Sequence, residues 1–132
     1  MTQTPSSTGE TSSPMAFGFT ADQESFAQTT RRFAADVLAP GYKAREKSAS
    51  VPLALRREMG ALGLIGVEFP SAYGGLGADH VTSGVVLEAI CEGDFNVGYI
   101  QLLGSLCGAI VARHAAPELA AEILPQVVSG DA

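Results

Sequence analysis

FNVGYIQLLGSLCGAIVA, residues 95–112, is the longest run in the chain without a charged side chain, and Asp94 and Arg113 bound it. A run of this length and apolarity predicts a helix surrounded by other parts of a protein. Wound as a helix, it has a bulky apolar face, with residues three and four apart, and a flatter face of small and polar residues. The bulky face consists of Tyr99, Leu102, Leu103, Leu106 and Ile110, and the flatter face of Gln101, Gly104, Ser105, Gly108 and Ala112.

We expect the bulky face to fill the core of the domain and the flatter face to let another backbone come close. A membrane span is the alternative, because about 20 apolar residues cross a bilayer, and Gly104 and Gly108 have the small-xxx-small spacing of membrane helix pairs. The short length, the polar Asn96 and Gln101, and the lack of a basic cluster at either end weigh against it. Burial in a soluble core is the favoured interpretation, and no membrane partner is expected.

The chain has 132 residues, enough for one domain with one core. Residues 1–16 contain few side chains that could be buried, so they are predicted to form a disordered tail, with the domain at residues 17–132. A secretory signal needs basic residues before an apolar run, whereas the first basic residue is Arg31. The expected location is therefore the cytoplasm.

The net charge of −6 argues against nucleic acid as a partner, because phosphate binding needs a cationic surface. Seven of the eight basic residues nevertheless fall between Arg31 and Arg57. A solvated helix face is the favoured interpretation of this basic third, and a surface that faces an anion or a partner is the alternative.

Local signals place about five helices along the chain. Pro40 should end or kink the first helix near Leu38, because a residue before proline avoids the helical conformation. Helix starts are predicted at a Thr20–Gln23 capping box, at Pro52, after Asp79, after Asn96 and at Pro117, with glycine stops at Gly63 and Gly130. With short loops and no pattern of alternating strands, the predicted class is all-α, an irregular bundle packed about the helix of residues 95–112.

No catalytic constellation or metal-ligand spacing is present in the sequence. The glycine-rich SAYGGLGAD, residues 71–79, lacks the spacing of a nucleotide loop and is interpreted as a turn. Glu88 and Glu92 are one helical turn apart and are interpreted as a solvated face. Cys91 and Cys107 are interpreted as small core residues.

GALGLIGVEFPSAYGGLG, residues 60–77, resembles the N-terminal helical domain of the acyl-CoA dehydrogenases, in which GLxG is followed after a short gap by P-x-x-Y/F-G-G-x-G. The flanking segments resemble the same domain in the same order. FTADQESFAQTTRRFAADVLAP is similar to the family's opening helix, VVLEAICEGD to its third helix, and PELAAEILPQVVSGDA to its closing helix and L-P-x-x-x-x-G-(D/E) exit.

The resemblance implies an FAD-dependent enzyme that removes a hydride and a proton from an acyl-CoA thioester, giving the 2,3-enoyl-CoA. It also implies a homo-oligomer in which a β-domain and a C-terminal helical domain, the latter supplying the glutamate base, complete the site. Those parts would lie in cis or on another chain, so this chain alone is expected neither to hold FAD nor to be active. No catalytic residue is assigned, and no cofactor-binding residue is named.

In the family the acyl tail lies against the central helix, which corresponds to residues 98–106. By this resemblance the substrate-binding residues are Gly98, which leaves room, and Tyr99, Leu102, Leu103 and Leu106 as wall. The alternative is that the four larger side chains are plain core. For the chain as a whole, the alternative to an enzyme domain is a non-enzymatic helical module that binds a hydrophobic ligand or a partner chain. The enzyme hypothesis predicts exposed apolar surface where the other domains dock.

Overall fold

The computed structural model describes residues 18–48 and 50–132. The predicted tail, residues 1–16, lies outside them. The described residues are helical with no strand, which confirms the all-α class. The elements in chain order are α1 (Ala21–Phe33), a π-helical segment (Ala34–Leu38), α2 (Ala39–Glu46), α3 (Leu53–Ala61), a 3-10 turn (Ser71–Tyr73), α4 (His80–Gly93), α5 (Phe95–His114) and α6 (Pro117–Ser129).

The first three elements follow one another without a gap and form one rod, so residues 18–48 and 50–132 form five helical rods, as predicted. At its start the Thr20 hydroxyl accepts from the Gln23 amide at 3.2 Å and the Gln23 side chain accepts from the Thr20 amide at 3.0 Å, which is the predicted capping box. The rod does not stop at Leu38. The Ala39 amide donates to the Ala34 carbonyl five residues back, and this wider turn accommodates Pro40, whose ring would clash with the preceding α-helical turn.

The remaining helix ends follow local rules, with one correction. Gly63 and Gly130 stand at the predicted helix ends with φ of 71° and 79°, a conformation in which a Cβ is disfavoured. The cap of α5 is Asp94, whereas Asn96 was expected. The Asp94 carboxylate accepts from the amides of Asn96 at 3.0 Å and Val97 at 3.3 Å, which starts the helix two residues earlier.

The helix at the centre of the bundle is α4, and the expectation that the bundle packs about α5 is wrong in this respect. α4 packs against α1, the π segment, α2 and α5, while α5 packs against α4 and α6. The main hydrophobic core gathers residues from the first rod, α3, the segment after α3, α4 and the start of α5. Its members are Phe33, Ala34, Leu38, Leu55, Met59, Leu64, Ile65, Val67, Val86, Ile90 and Val97.

The orientation of α5 is opposite to the expected one. Its flatter face is turned inward, with Gln101, Ser105 and Gly108 buried. Small residues permit this close approach, since a Cβ at Gly108 would lie 2.0 Å from Cζ of Phe69 and one at Gly98 would collide with the Cys91 sulfur. The bulky face consequently points away from the bundle. Cys107 shares this outward side and is exposed, which corrects its assignment to the core.

Candidate functional site

The exposed side of α5 carries a row of large apolar side chains, here called the α5 apolar face. Their exposed fractions run from 41% at Leu102 to 62% at Phe95. Soluble chains seldom leave so many large side chains in one uncovered row, and such rows mark binding surfaces. The face consists of Phe95, Tyr99, Leu102, Leu103, Leu106 and Ile110.

Three of the five predicted substrate-binding residues line a small groove between α4 and α5, with a volume of about 90 Å³. They are Gly98, Tyr99 and Leu102. At Gly98 the two helices are close together, because a Cβ there would lie 2.4 Å from the Cys91 sulfur. Tyr99 is steadied by Phe95, with ring centroids 5.4 Å apart and planes at 82°, an edge-to-face pair.

A second groove of about 330 Å³ continues along the same α4–α5 seam, and Leu102 and Leu106 form its wall. Leu87 and Leu102 line both grooves, so the two adjoin. Leu103 lines neither groove, although it is 51% exposed on the same face. The alternative that Tyr99, Leu102, Leu103 and Leu106 are plain core is therefore wrong for this domain.

A hydrogen-bonded polar cluster forms the floor of the second groove, and sequence reasoning did not single it out. It consists of Glu68, Ser83, Gln101 and Ser105. The Gln101 amide, in a side chain only 1% exposed, donates to the hydroxyls of Ser83 at 2.8 Å and Ser105 at 3.3 Å. Both hydroxyls donate to Oε2 of Glu68, at 3.0 and 3.1 Å. The signal in the sequence is Gln101 and Ser105, polar residues one turn apart in the uncharged, mostly apolar part of the helix.

The glycine-rich loop holds Glu68 in place. Two of its amides donate to carbonyls of the segment just before the loop, Gly77 to Phe69 at 2.9 Å and Ala78 to Val67 at 3.0 Å. Gly75 lies against the Phe69 backbone too closely to admit a Cβ. These contacts support the interpretation of the loop as a turn, and they aim Glu68 at the α4–α5 seam.

Two titratable groups near the site have shifted acidities. Burial raises the pKa of the Cys91 thiol, with the Asp94 charge as the smaller cause, so this thiol is a poor nucleophile. Hydrogen bonds from the Thr82 hydroxyl and amide lower the pKa of Asp79, the cap of α4. Within residues 18–48 and 50–132, no three His, Cys, Asp or Glu side chains are grouped in a way that could hold a metal ion.

By length and composition α5 could also cross a membrane, with a mean hydropathy of 1.5 over its most apolar window and 28% of that window buried. The core helices of soluble proteins pass the same test. In this domain one side of α5 is packed on α4 and α6, and the buried polar cluster lies on that side. The described residues thus give α5 one packed side and one open apolar side.

The sequence and the fold were compared with known proteins. The family model described as the acyl-CoA dehydrogenase N-terminal domain matches residues 20–131. The mitochondrial isovaleryl-CoA dehydrogenase of Oryza sativa subsp. japonica is 30% identical over 123 residues, covering 91% of this chain and 30% of that protein. The short-chain specific acyl-CoA dehydrogenase of Clostridium acetobutylicum is 26% identical over 118 residues, covering 89% of this chain and 31% of that protein.

A crystal structure of a glutaryl-CoA dehydrogenase from Mycobacterium smegmatis in complex with FADH2 has the same arrangement of helices, with a TM-score of 0.80 and 30% identity. The match covers 86% of this chain and 30% of that one. The chain thus spans about 30% of the length of these relatives. By the family match and the shared fold, the chain belongs to the acyl-CoA dehydrogenase family and corresponds to its N-terminal helical domain.

Proposed function

We propose that this chain is the helical part of the substrate pocket of an FAD-dependent acyl-CoA dehydrogenase, an enzyme that introduces an α,β double bond into an acyl-CoA thioester. The observation that carries the proposal is the α5 apolar face. A row of half-exposed side chains on a helix that is otherwise firmly packed is the arrangement expected of a wall whose opposite side belongs to another domain.

The role of this domain is to bind and orient the acyl chain. Tyr99, Leu102 and Leu106 offer apolar surface along the α4–α5 seam, and Gly98 opens it. Closing a second domain over this face would bury the acyl chain and exclude water from the reacting carbons. Leu103, which lines neither groove, is assigned to the contact with that domain.

FAD would accept the hydride in the complete enzyme, and a carboxylate base would take the proton. The described residues do not fit a flavin site of their own, because the Gly75, Gly77 and Ala78 amides of the glycine-rich loop already donate to backbone carbonyls of the segment just before it. We therefore assign the cofactor and the base to a β-domain and a C-terminal domain, in cis or on another chain. Glu88 and Glu92 are exposed on α4, and Glu92 pairs with Arg31 at 3.0 Å, so neither is offered as the base.

The same face argues for a protein partner over a bilayer. A membrane span is surrounded by lipid or by other spans, whereas α5 is packed on α4 and α6, which carry charged and exposed residues such as Glu88 and Glu118. We propose a cytoplasmic enzyme that is a homo-oligomer when complete.

The test is reconstitution. The chain is mixed with a polypeptide that carries the β and C-terminal domains of a family member, and bleaching of the oxidised flavin is followed on addition of acyl-CoA. Bleaching that requires this chain supports the proposal, and Leu106→Gln should weaken it while Glu88→Gln should not. A chain that binds lipid or another protein but never restores bleaching would favour the non-enzymatic helical module. Bleaching by the purified chain alone, with bound flavin, would refute the assignment of FAD to other domains.

A further inference from the structure

The polar cluster is an unusual floor for an apolar groove. Burying amide, hydroxyl and carboxylate groups lowers stability unless they are hydrogen-bonded, and an apolar floor would avoid that risk. Here Gln101, Ser83 and Ser105 are each less than 10% exposed. The Gln101 amide donates to both serine hydroxyls and, at 3.5 Å, to the Ser83 carbonyl, and both hydroxyls donate to one carboxylate oxygen, Oε2 of Glu68. The cluster thus holds that carboxylate at a fixed position.

Glu68 is not sealed inside the domain. It lines the second groove, of about 330 Å³, and also a neighbouring hollow of about 500 Å³ that His80 and Arg113 share. A carboxylate can accept at about four positions. The two serine hydroxyls occupy two of these, so the group retains capacity to accept from a molecule that lies in the groove.

The apolar and polar parts form one path. The first groove opens at Gly98, and the second groove, which shares Leu87 and Leu102 with it, ends at the polar cluster. From Gly98 to Ser105 the distance along the helix axis is about 10 Å, at about 1.5 Å per residue. An apolar chain laid in the path would therefore bring its far end to Glu68.

We infer that Glu68, positioned by Ser83, Gln101 and Ser105, selects acyl chains whose far end carries a hydrogen-bond donor, a hydroxyl or an ammonium group. The inference rests on the proposed function, since it names the substrate class of the same pocket. A donor at the far end gains a hydrogen bond to a charged acceptor, which corresponds to about a tenfold or greater gain in affinity over the plain chain. A carboxylate at the same position meets a like charge and should bind more weakly than the plain chain.

The experiment is a binding titration on the full chain labelled with nitrogen-15, read from amide shifts of α4 and α5. The ligands are plain acyl-CoA thioesters of increasing length and their ω-hydroxy, ω-amino and ω-carboxy counterparts. We expect one length at which the ω-hydroxy or ω-amino ligand binds about tenfold tighter than the plain ligand. The ratio between the two donors tells whether the hydroxyl or the ammonium is preferred.

Glu68→Gln should bring the ratio of the affinities for the donor-bearing and the plain ligand close to one, and the matched surface variant Glu88→Gln should preserve this ratio. If Glu68→Gln does not fold, as judged by its amide spectrum, Ser105→Ala is the second variant and should lower the ratio by removing one of the groups that position the carboxylate. Equal affinity for plain and donor-bearing ligands at every length overturns the inference, as does a preference for the ω-carboxy ligand, which would point to His80 and Arg113. Failure of all ligands to bind overturns it as well.

Failure of this inference can be told apart from failure of the proposed function. Flavin bleaching with plain acyl-CoA depends on reconstitution and not on the far end of the chain. Bleaching without a donor preference would therefore leave the proposed function standing and remove only the role of Glu68.

Discussion

Replacing Asp94 by alanine removes two interactions at once from the junction between α2 and α5. Oδ1 of Asp94 caps α5 by accepting from the amides of Asn96 and Val97, and Oδ2 accepts from Nε of Arg45 at 2.8 Å. The Asp94 side chain is 1% exposed and that of Arg45 is 13% exposed. Alanine would thus leave a largely buried guanidinium with only the Leu38 carbonyl as a partner in this part of the structure.

The size of the effect follows from these two roles. Breaking a buried ion pair by removing one partner costs about 3–5 kcal/mol, because the remaining charge loses its compensation. Loss of a helix cap accounts for about 1 kcal/mol. We therefore expect Asp94→Ala to lower the free energy of unfolding by about 4–6 kcal/mol, out of a total of about 5–15 kcal/mol for a domain. Asp94→Asn keeps a good capping side chain and should recover about 1 kcal/mol of that loss.

Urea unfolding followed by far-ultraviolet circular dichroism measures these differences by linear extrapolation. Glu92→Ala is the matched control, because it removes a carboxylate from an ion pair with Arg31 whose side chains are 45% and 50% exposed, and such pairs contribute about 0–1 kcal/mol. The reasoning is refuted if Asp94→Ala loses no more stability than Glu92→Ala. If Asp94→Asn loses as much as Asp94→Ala, the capping role is wrong while the ion pair stands.

Three further predictions concern the same fold. Gly108→Ala should lower the free energy of unfolding by about 1–3 kcal/mol, because the new Cβ would overlap an aromatic ring. Gly84→Ala, where the added Cβ would have no described atom within 4 Å apart from its chain neighbours and the nearby helix backbone, should raise it by up to about 1 kcal/mol. Equal effects of the two substitutions in urea titrations would contradict this. Hydrogen bonds from the hydroxyl and amide of Thr82 lower the pKa of Asp79 in the folded state. The ionised Asp79 carboxylate therefore stabilises the fold above its unfolded-state pKa, and this contribution is lost as pH falls through its folded-state pKa. The stability gap between wild type and Asp79→Ala should therefore narrow below about pH 4, and thermal melts showing a constant gap would exclude this. Iodoacetamide should modify exposed Cys107 before Cys91, whose pKa is raised by burial, and mass spectrometry finding equal rates would contradict it.

The local features of this fold could be predicted from the sequence because their causes lie within a few residues. The capping box at Thr20, the cap at Asp79 and the glycine end at Gly63 each depend on a short spacing and on one backbone conformation. The cap of α5 was misplaced at Asn96 because both residues are good caps. Asp94 differs from Asn96 in its ion pair with Arg45, which is distant in sequence. Capping rules consider only neighbouring residues, so they do not include that contact.

The orientation of α5 could not be predicted, although its two faces could. The usual rule turns the larger apolar face toward the core of the same chain. Here the small face packs, since Phe69 fills the space left at Gly108 and Cys91 lies against Gly98, and the large face stays open. A helix whose bulky side belongs to an interface has the same periodicity as one whose bulky side belongs to a core, so only the family resemblance indicated a pocket. Glu68 was missed because it joins Ser83 and Ser105 only through the tertiary fold.

The π-helical segment at Ala34–Leu38 has the effect of one extra residue in the first rod. Each residue advances an α-helix by about 100°, since 3.6 residues make one turn, so the segment changes the angular phase of every later side chain in the rod by more than a quarter turn. Arg45, which follows it, owes its direction toward Asp94 to that change of phase. Deleting a single residue from the segment would therefore rotate the side chains of α2 by about 100° about the helix axis. α2 would keep its sequence and helicity, yet Arg45 would face solvent and another side chain would face the start of α5.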